Sequence, residues 1–330
     1  MEHNILILSC GTRNKVIQYF KKEIGSQGKV FATDANELAP ALYEADHFFI
    51  VPKINESKYL NTILAICEKN KIKMVFSLID PELSLLSEHK DKFLKIGTIP
   101  IVSNQPEIEI SYDKFKMQNF LRANGFNTIK SYVDLESFYK ALKIGEINYP
   151  VFAKPVKGSG SINTNKVTTT EEIEMLFEQH ENLIIQEFMD GIEYGVDAYI
   201  DLHSGELSGI FIKEKILMRA GETDKSVSVI DYNIFTIVKR LIEKLPLKGV
   251  IDIDLFKVGG KYYVSEVNPR FGGGYPHAYE CGVNIPKMIL NNLKGIRNTP
   301  NFFEYEPRLV MAKYFDLKLV KYENEMAKEV

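Results

Sequence analysis

The chain has 330 residues, 45% of them hydrophobic, which suffices for one large core or a few smaller ones joined by short linkers. Its 41 basic and 44 acidic side chains leave a formal net charge of -3, so a phosphate backbone is not attracted at long range and nucleic acid is not expected as a partner. Cys10, Cys67 and Cys281 are well separated and lack CxxC spacing, which argues against a disulfide framework or a structural zinc site, and the apolar run in MEHNILILSCG is too short for a signal core or a membrane span. A cytoplasmic protein without a membrane partner is the expectation.

The first hundred residues alternate short apolar runs with amphipathic stretches. Asn4–Leu8 reads as a buried strand, Val16–Lys22 as a helix, Lys29–Thr33 as a strand ending at Asp34, Tyr59–Glu68 as a helix and Met74–Leu78 as the next strand. That rhythm predicts an open parallel sheet. Between the first strand and helix, Ser9-Cys10-Gly11-Thr12-Arg13 forms a turn that either is structural or contacts substrate; without GxGxxG it is not read as a nucleotide site. Asp80 and Glu82 follow a strand end, where open sheets bind ligands, but Asp80 also suits a helix cap and Glu82 a first helical turn.

A boundary is expected near Ile101–Pro106, after which Asp113 and Lys114 open a helix through Leu121 and another helix spans Leu135–Leu142. The chemical signals begin in PVFAKPVKGSGS. A strand delivers Lys154, and the loop Lys157-Gly158-Ser159-Gly160-Ser161 offers amide and hydroxyl donors, a pairing that suits a triphosphate but that is also found in an ordinary surface turn. In LIIQEFMDGIE an apolar strand runs into Glu187, Phe188 and Met189, with Glu193 beyond. These residues suit adenine and ribose, the alternative being solvated acids in a polar turn.

The third signal is a hairpin. Val250–Phe256 alternates as a strand, Gly259-Gly260 turns, and Tyr262–Arg270 returns. Alternation places Asp252 and Asp254 on one face, and Glu266 and Asn268 on one face of the partner. If those faces coincide, Asp254, Glu266 and Asn268 converge beside Arg270. Closely placed oxygens of this kind call for a cation, with Mg²⁺ or Mn²⁺ favoured over softer metals; a merely solvated acidic face is the alternative. Beyond Arg270, FGGGYPH permits close backbone approach beside the chemistry, with His277 read either as a base or as a structural histidine. Leu309–Leu319 reads as one or two strands.

LILSCGTR, ATDANELAPALYEAD, SLIDPEL, YPVFAKPVKGSGS, IIQEFMDGIE, MRAGET and VSEVNPRFGGGYPHAYECGVNIP together resemble the ATP-grasp superfamily, in the branch of the carbamoyl-phosphate synthase large chain and related carboxylate-amine ligases. The resemblance implies a mixed α/β and α+β fold: an open parallel-sheet pre-grasp domain over 1–105, an ATP-grasp domain over 106–300 with a mobile lid subdomain over about 150–192, and a C-terminal extension over 301–330. It further implies ATP and Mg²⁺ as cofactors, Lys154 on the phosphates and Lys157, Gly158, Ser159, Gly160 and Ser161 in the lid loop. Glu187 would stand at the adenine amino group with Phe188 and Met189 beside it, and Glu193 at the ribose. Asp254, Glu266 and Asn268 would hold metal, Arg270 would stand near the γ-phosphate and the carboxylate, and Lys213 and Arg219 would add further positive charge. The single grasp module implies a stand-alone ligase acting on a small-molecule carboxylate and an amine, and a homodimer by analogy; a carboxylate kinase and a nucleotide-dependent regulatory protein are the alternatives.

Overall fold

The computed structural model describes residues 3–158 and 163–321. In chain order the first elements are β1 (Ile5–Leu8), α1 (Asn14–Ile24), β2 (Val30–Asp34), β3 (His47–Ile50), α2 (Tyr59–Lys69), β4 (Met74–Ser77), α3 (Asp80–Glu88), α4 (Lys90–Lys95) and β5 (Ile99–Pro100). The strands form one parallel sheet ordered β3-β2-β1-β4-β5. Ile5 to Leu8 are all buried because helices cover both faces, as continuous apolar strands require. The strand order reverses between β1 and β4, so Ser9 and Ser77 flank the crevice at the carboxyl end of the sheet.

The chain continues through α5 (Gln105–Tyr112) and α6 (Lys114–Ala123), the latter capped by Asp113, which accepts from Phe115 N and Lys116 N at 3.1 and 3.0 Å. A smaller unit follows: β6 (Ser131–Tyr132), α7 (Leu135–Lys143), β7 (Val151–Pro155), β8 (Asn165–Val167), α8 (Thr170–Gln179) and β9 (Leu183–Glu187). Its four strands run β6-β9-β7-β8 and enclose a core of their own around Phe138 and Ile185. Of the expected loop, Ser159, Gly160 and Ser161 lie outside the described residues.

The largest sheet comprises β10 (Ile192–Ile200), β11 (Leu207–Arg219), β12 (Glu222–Val229), β13 (Gly249–Val258) and β14 (Lys261–Asn268), with α9 (Tyr232–Lys244) between β12 and β13. After it come α10 (Tyr275–Glu280), α11 (Ile285–Leu293), β15 (Asn301–Phe302) and β16 (Val310–Ala312). The path is β14-β13-β10-β11-β12-β16. Val196, Ala198, Ile210, Ile212, Ile251, Ile253 and Val267 face α6 and α9. The opposite face carries the polar residues between them, and α10 and α11 join it to the core around α1. Of the strands expected over Leu309–Leu319, only Val310–Ala312 forms. Pairing with β12 stops at Lys225↔Ala312, and beyond it Tyr314, Phe315, Leu317 and Leu319 stay exposed for want of a partner strand.

Asp201, just past β10, anchors α11. Its carboxylate accepts from His203 N, Ser204 N, Asn292 Nδ2, Asn298 N and Asn298 Nδ2 at 2.8–2.9 Å. Burial works against the charge, but these donors outweigh it and hold the pKa below the usual Asp range. Because the folded pKa is depressed, the stabilisation is present above about pH 4 and is lost as pH falls further. Asp201→Ala is expected to cost about 3 kcal/mol at pH 7, with a deficit that shrinks below about pH 4 in thermal melts. A deficit of equal size at pH 3 and pH 7 would contradict this.

Candidate active site

The site begins with strand register. Antiparallel pairing sets Asp252 opposite Asn268 and Asp254 opposite Glu266, so the expected coincidence of faces occurs. A bulge makes this compatible with the core: Asp254 pairs with Glu266 but Leu255 pairs with Val264, leaving Ser265 as the extra residue. Val264 and Val267 therefore point into the apolar core while Glu266 turns to the polar face, which strict alternation from Val264 would not allow. Ser265 O is held by Gln118 Nε2 at 2.8 Å.

The next strands supply cations. β10 sets Gly195 opposite Asp254 on one side and Lys213 of β11 on the other. A Cβ on Gly195 would stand 3.0 Å from Lys213 Cε and 3.1 Å from Lys215 Cε, so a side chain there would crowd both lysine stems where they cross β10. Lys215 Nζ reaches Asp254 at 2.6 Å and Glu193 at 2.8 Å. Lys213, fully buried, pairs with Asp197. On the far side Lys114 Nζ lies 3.7 Å from Glu266 and also donates to Gly158 O. Lys154 comes from β7. Burial lowers its pKa, while Glu266, Asp254 and Glu193 pull it back up against Lys114. A lysine so placed stands among all these acids, and among the described residues its ammonium has no hydrogen-bond or ion-pair partner.

Charge crowding adds to burial at Asp252. Burial, then Asp254 and Asp197, push its pKa up to about 7 against the pull of Lys213 and Arg270. Glu193 is likewise raised by burial, with Lys215 opposing. Lys215 is raised despite burial, because Asp254 and Glu193 favour its charged form. The three glycines after Phe271 lie against this cluster. A Cβ on Gly272 would collide with the Asp252 carboxylate, on Gly273 it would stand 2.6 Å from Arg13 Nη1, and on Gly274 2.7 Å from Lys213 Cε.

Arg270 sits at the end of β14 with Nε 3.0 and 2.9 Å from the two Asp80 oxygens and Nη1 4.0 Å from Asp252. Asp80 therefore does not cap α3 as the sequence suggested; Ile79 holds the N-cap position without a side-chain cap. Glu82 does lie in the first turn, but buried, accepting from Ser9 Oγ at 2.6 Å and from Ser77 and Tyr59. The Gly11 turn consumes its own amides: Gly11 N donates to Asp34 at 2.8 Å and Cys10 N to Thr33 O at 3.1 Å, which favours its structural reading.

Other expected residues scatter around this centre. Glu187 pairs with Lys130 at 3.4 Å, and Phe188 packs on Phe152 with Lys166 over its ring; Met189 is half-buried beside them. Lys157 pairs with Glu109 at 3.5 Å. Arg219 lies at the β11–β12 turn, 53% exposed, 3.4 Å from Asp224, and is not brought to the Asp254–Glu266 pair. His277 is buried, with Nδ1 2.8 Å from Ser226 Oγ; burial, reinforced by Lys213, lowers its pKa to about 4, so it is neutral near pH 7. Sequence reasoning passed over Lys215, Lys114 and Asp197. Lys215 had a signal, since it shares a strand face with Lys213; Lys114 read only as a helix start.

The sequence matches the PylC-like N-terminal domain family over residues 5–101 and the ATP-grasp domain family over residues 111–274. The chain is an ATP-grasp protein with a PylC-like N-terminal domain. It is 25% identical over 292 residues to a formate-dependent phosphoribosylglycinamide formyltransferase of Prochlorococcus marinus, covering 82% of this chain and 70% of that protein. It is 24% identical over 295 residues to the carbamoyl phosphate synthase large chain of Clostridium acetobutylicum, covering 83% of this chain but only 26% of that protein. The fold resembles N5-carboxyaminoimidazole synthetase from Staphylococcus aureus complexed with ADP (TM-score 0.73, 16% identity, 92% of this chain and 81% of that one). It also resembles the biotin carboxylase domain dimer of Hydrogenobacter thermophilus 2-oxoglutarate carboxylase with MgADP and bicarbonate (TM-score 0.72, 16% identity, 93% and 72%).

A raised Asp252 pKa favours the folded state while the group is protonated and ceases to do so as pH rises through about 7. Asp252→Asn removes the charge and is therefore expected to raise the melting temperature of the nucleotide-free protein by about 2–5 °C at pH 8, and by clearly less at pH 5. A gain that does not depend on pH would contradict the crowding.

Proposed function

We propose that this chain is an ATP-dependent ligase that activates a small carboxylic acid as an acyl phosphate and transfers the acyl group to an amine, releasing ADP and phosphate. The observation that carries this reading is the register of β13 and β14, which sets Asp254 against Glu266 and Asp252 against Asn268 with Lys154 and Arg270 around them. The formyltransferase and synthetase relatives support it, as does an ADP or MgADP complex in each of the two similar structures.

Lys154 is suited to neutralising the terminal phosphates, because an ammonium shielded from water acts more strongly on a charge beside it. Glu193 would hold the ribose and Glu187, with Phe188 and Met189, the adenine. Lys157 and Gly158 belong to a lid running over about 150–192, which would shield the acyl phosphate from water. Attack of a carboxylate oxygen on the γ-phosphorus expels ADP; attack of the amine on the acyl carbon then expels phosphate, and the nitrogen loses a proton. Arg270 is placed to offset charge at both steps.

The donors at the hairpin are all oxygen. Among the described residues no three His, Cys, Asp or Glu side chains are gathered to hold a metal alone. That fits magnesium, which is commonly held by one or two carboxylates with phosphate oxygens and water completing its shell. Asp254, Glu266 and Asn268 would hold it, manganese being an acceptable substitute. When bound it would offset charge on the transferring phosphoryl group. Lys215 now bridges Asp254 and Glu193, so it is the resident countercharge that nucleotide and cation binding would have to release.

The substrates are to be sought by incubating carboxylate and amine pairs with ATP and following ADP release and product mass. Glu266→Gln and Lys154→Ala are each expected to lower turnover by about 10²–10³-fold while the circular dichroism spectrum stays native. Wild-type turnover in either variant contradicts the assigned site, and ADP release without any amine points to a carboxylate kinase instead.

A further inference from the structure

The contact between Asp80 and Arg270 joins residues 190 positions apart and crosses from the parallel-sheet domain to the grasp hairpin. Asp80 is 4% exposed and Arg270 8%. A carboxylate at the start of a helix ordinarily turns to the free amides of the first turn. Here both oxygens go instead to one N–H, Arg270 Nε, at 3.0 and 2.9 Å. Nη1 donates to Phe271 O at 3.0 Å and lies 4.0 Å from Asp252. Burial alone would disfavour the guanidinium charge, yet Asp80 first, then Asp252, sustain it.

The support for Asp80 is itself fixed. Two positions further along α3, Glu82 accepts from Ser9 at the end of β1, from Ser77 at the end of β4, and from Tyr59 of α2. Three hydroxyls thus pin the first turn of α3 to the crevice between β1 and β4, and that turn presents Asp80 to Arg270. Phe271, next to Arg270, packs on Phe20 and Phe76 of the same domain, with ring centroids 5.9 and 5.7 Å apart.

We infer that Asp80 is a positioning residue for the reaction proposed above: it fixes the Nε edge of Arg270 so that the remaining guanidinium nitrogens are held at the hairpin, and through it the parallel-sheet domain sets the geometry of the phosphoryl-transfer site. This inference rests on the ligase reading for its kinetic consequence but not for its structural one. A guanidinium with four rotatable bonds along its stem would otherwise sample many orientations, and preorganisation of a charged group is what makes it effective in a transition state. Asparagine at position 80 keeps the shape but offers one acceptor oxygen and no charge.

The test combines kinetics with a signal from the arginine itself. With the substrate pair found for the wild type, Asp80→Asn is expected to lower kcat about 10–100-fold with KM for ATP within about twofold, and Asp80→Glu to recover part of the loss. Asp80→Ala combined with Arg270→Ala should be no slower than Arg270→Ala alone, because the two groups act as a unit. In ¹⁵N-labelled full-length protein, the Arg270 Nε–H, assigned by its loss in Arg270→Lys, should exchange slowly in the wild type and at least tenfold faster in Asp80→Asn. Unchanged kcat in Asp80→Asn, multiplying effects in the double variant, or unchanged Nε–H exchange overturns the inference. A wild type that turns over no substrate pair would sink the ligase reading alone, since Nε–H exchange tests the hold of Asp80 without turnover. If Asp80→Ala fails to fold, Asp80→Asn and Asp80→Glu still decide the question.

Discussion

Three strands in register gather more negative charge on one sheet face than the interior tolerates unaided, and the rest of the site follows from neutralising it. Asp252 and Asp254 on β13, Glu266 on β14, and Glu193 and Asp197 on β10 share that face. Coulomb repulsion among carboxylates a few ångströms apart is large wherever water is excluded. The chain answers with Lys213 and Lys215, whose stems pass over the bare Gly195, and with Lys114, Lys154 and Arg270 arriving from other elements. A surface built in this way is prepared for a ligand that brings both strong negative charge and cations of its own.

The same economy explains why the parts are interdependent. The polar face of the large sheet is closed by Phe271 and the three glycines that follow, which approach Asp252, Arg13 and Lys213 so closely that a Cβ would force those side chains to shift. Arg13 enters from the turn after β1 and pairs with Glu222 at 2.8 Å, while Asp80 enters from α3. The parallel-sheet domain therefore contributes charge directly to the grasp hairpin, and its core runs without interruption into α10 and α11.

Much of this was legible in the sequence because it is written in local period. Strands β1, β2 and β4 of the first domain follow from their short apolar runs and the hairpin at 249–268 from alternation and its turn residues, whereas β3 and β5 carry too little pattern to be read; the hairpin also places Asp254, Glu266 and Asn268 on one face. What escaped depends on long-range pairing. The bulge at Ser265 changes no residue type, so alternation gave the faces of Glu266 and Asn268 but not the inward turn of Val264. Asp80 has the position of a cap, and only Arg270, 190 residues away, draws it elsewhere. Arg219 lies between the site motifs in sequence, but a long β-strand carries it to the hairpin turn. Lys215 was overlooked beside Lys213 although the two share a face, and it is Lys215 that reaches Asp254.

The most direct measurement is a crystal structure of the full chain with a non-hydrolysable ATP analogue and magnesium. The expected result has the phosphates at Lys154, a magnesium ion about 2.1 Å from Glu266 and from Asp254 or Asn268, and Lys215 withdrawn from Asp254. Nucleotide bound elsewhere, or Lys215 still bridging Asp254 and Glu193 with no metal at the hairpin, would contradict it.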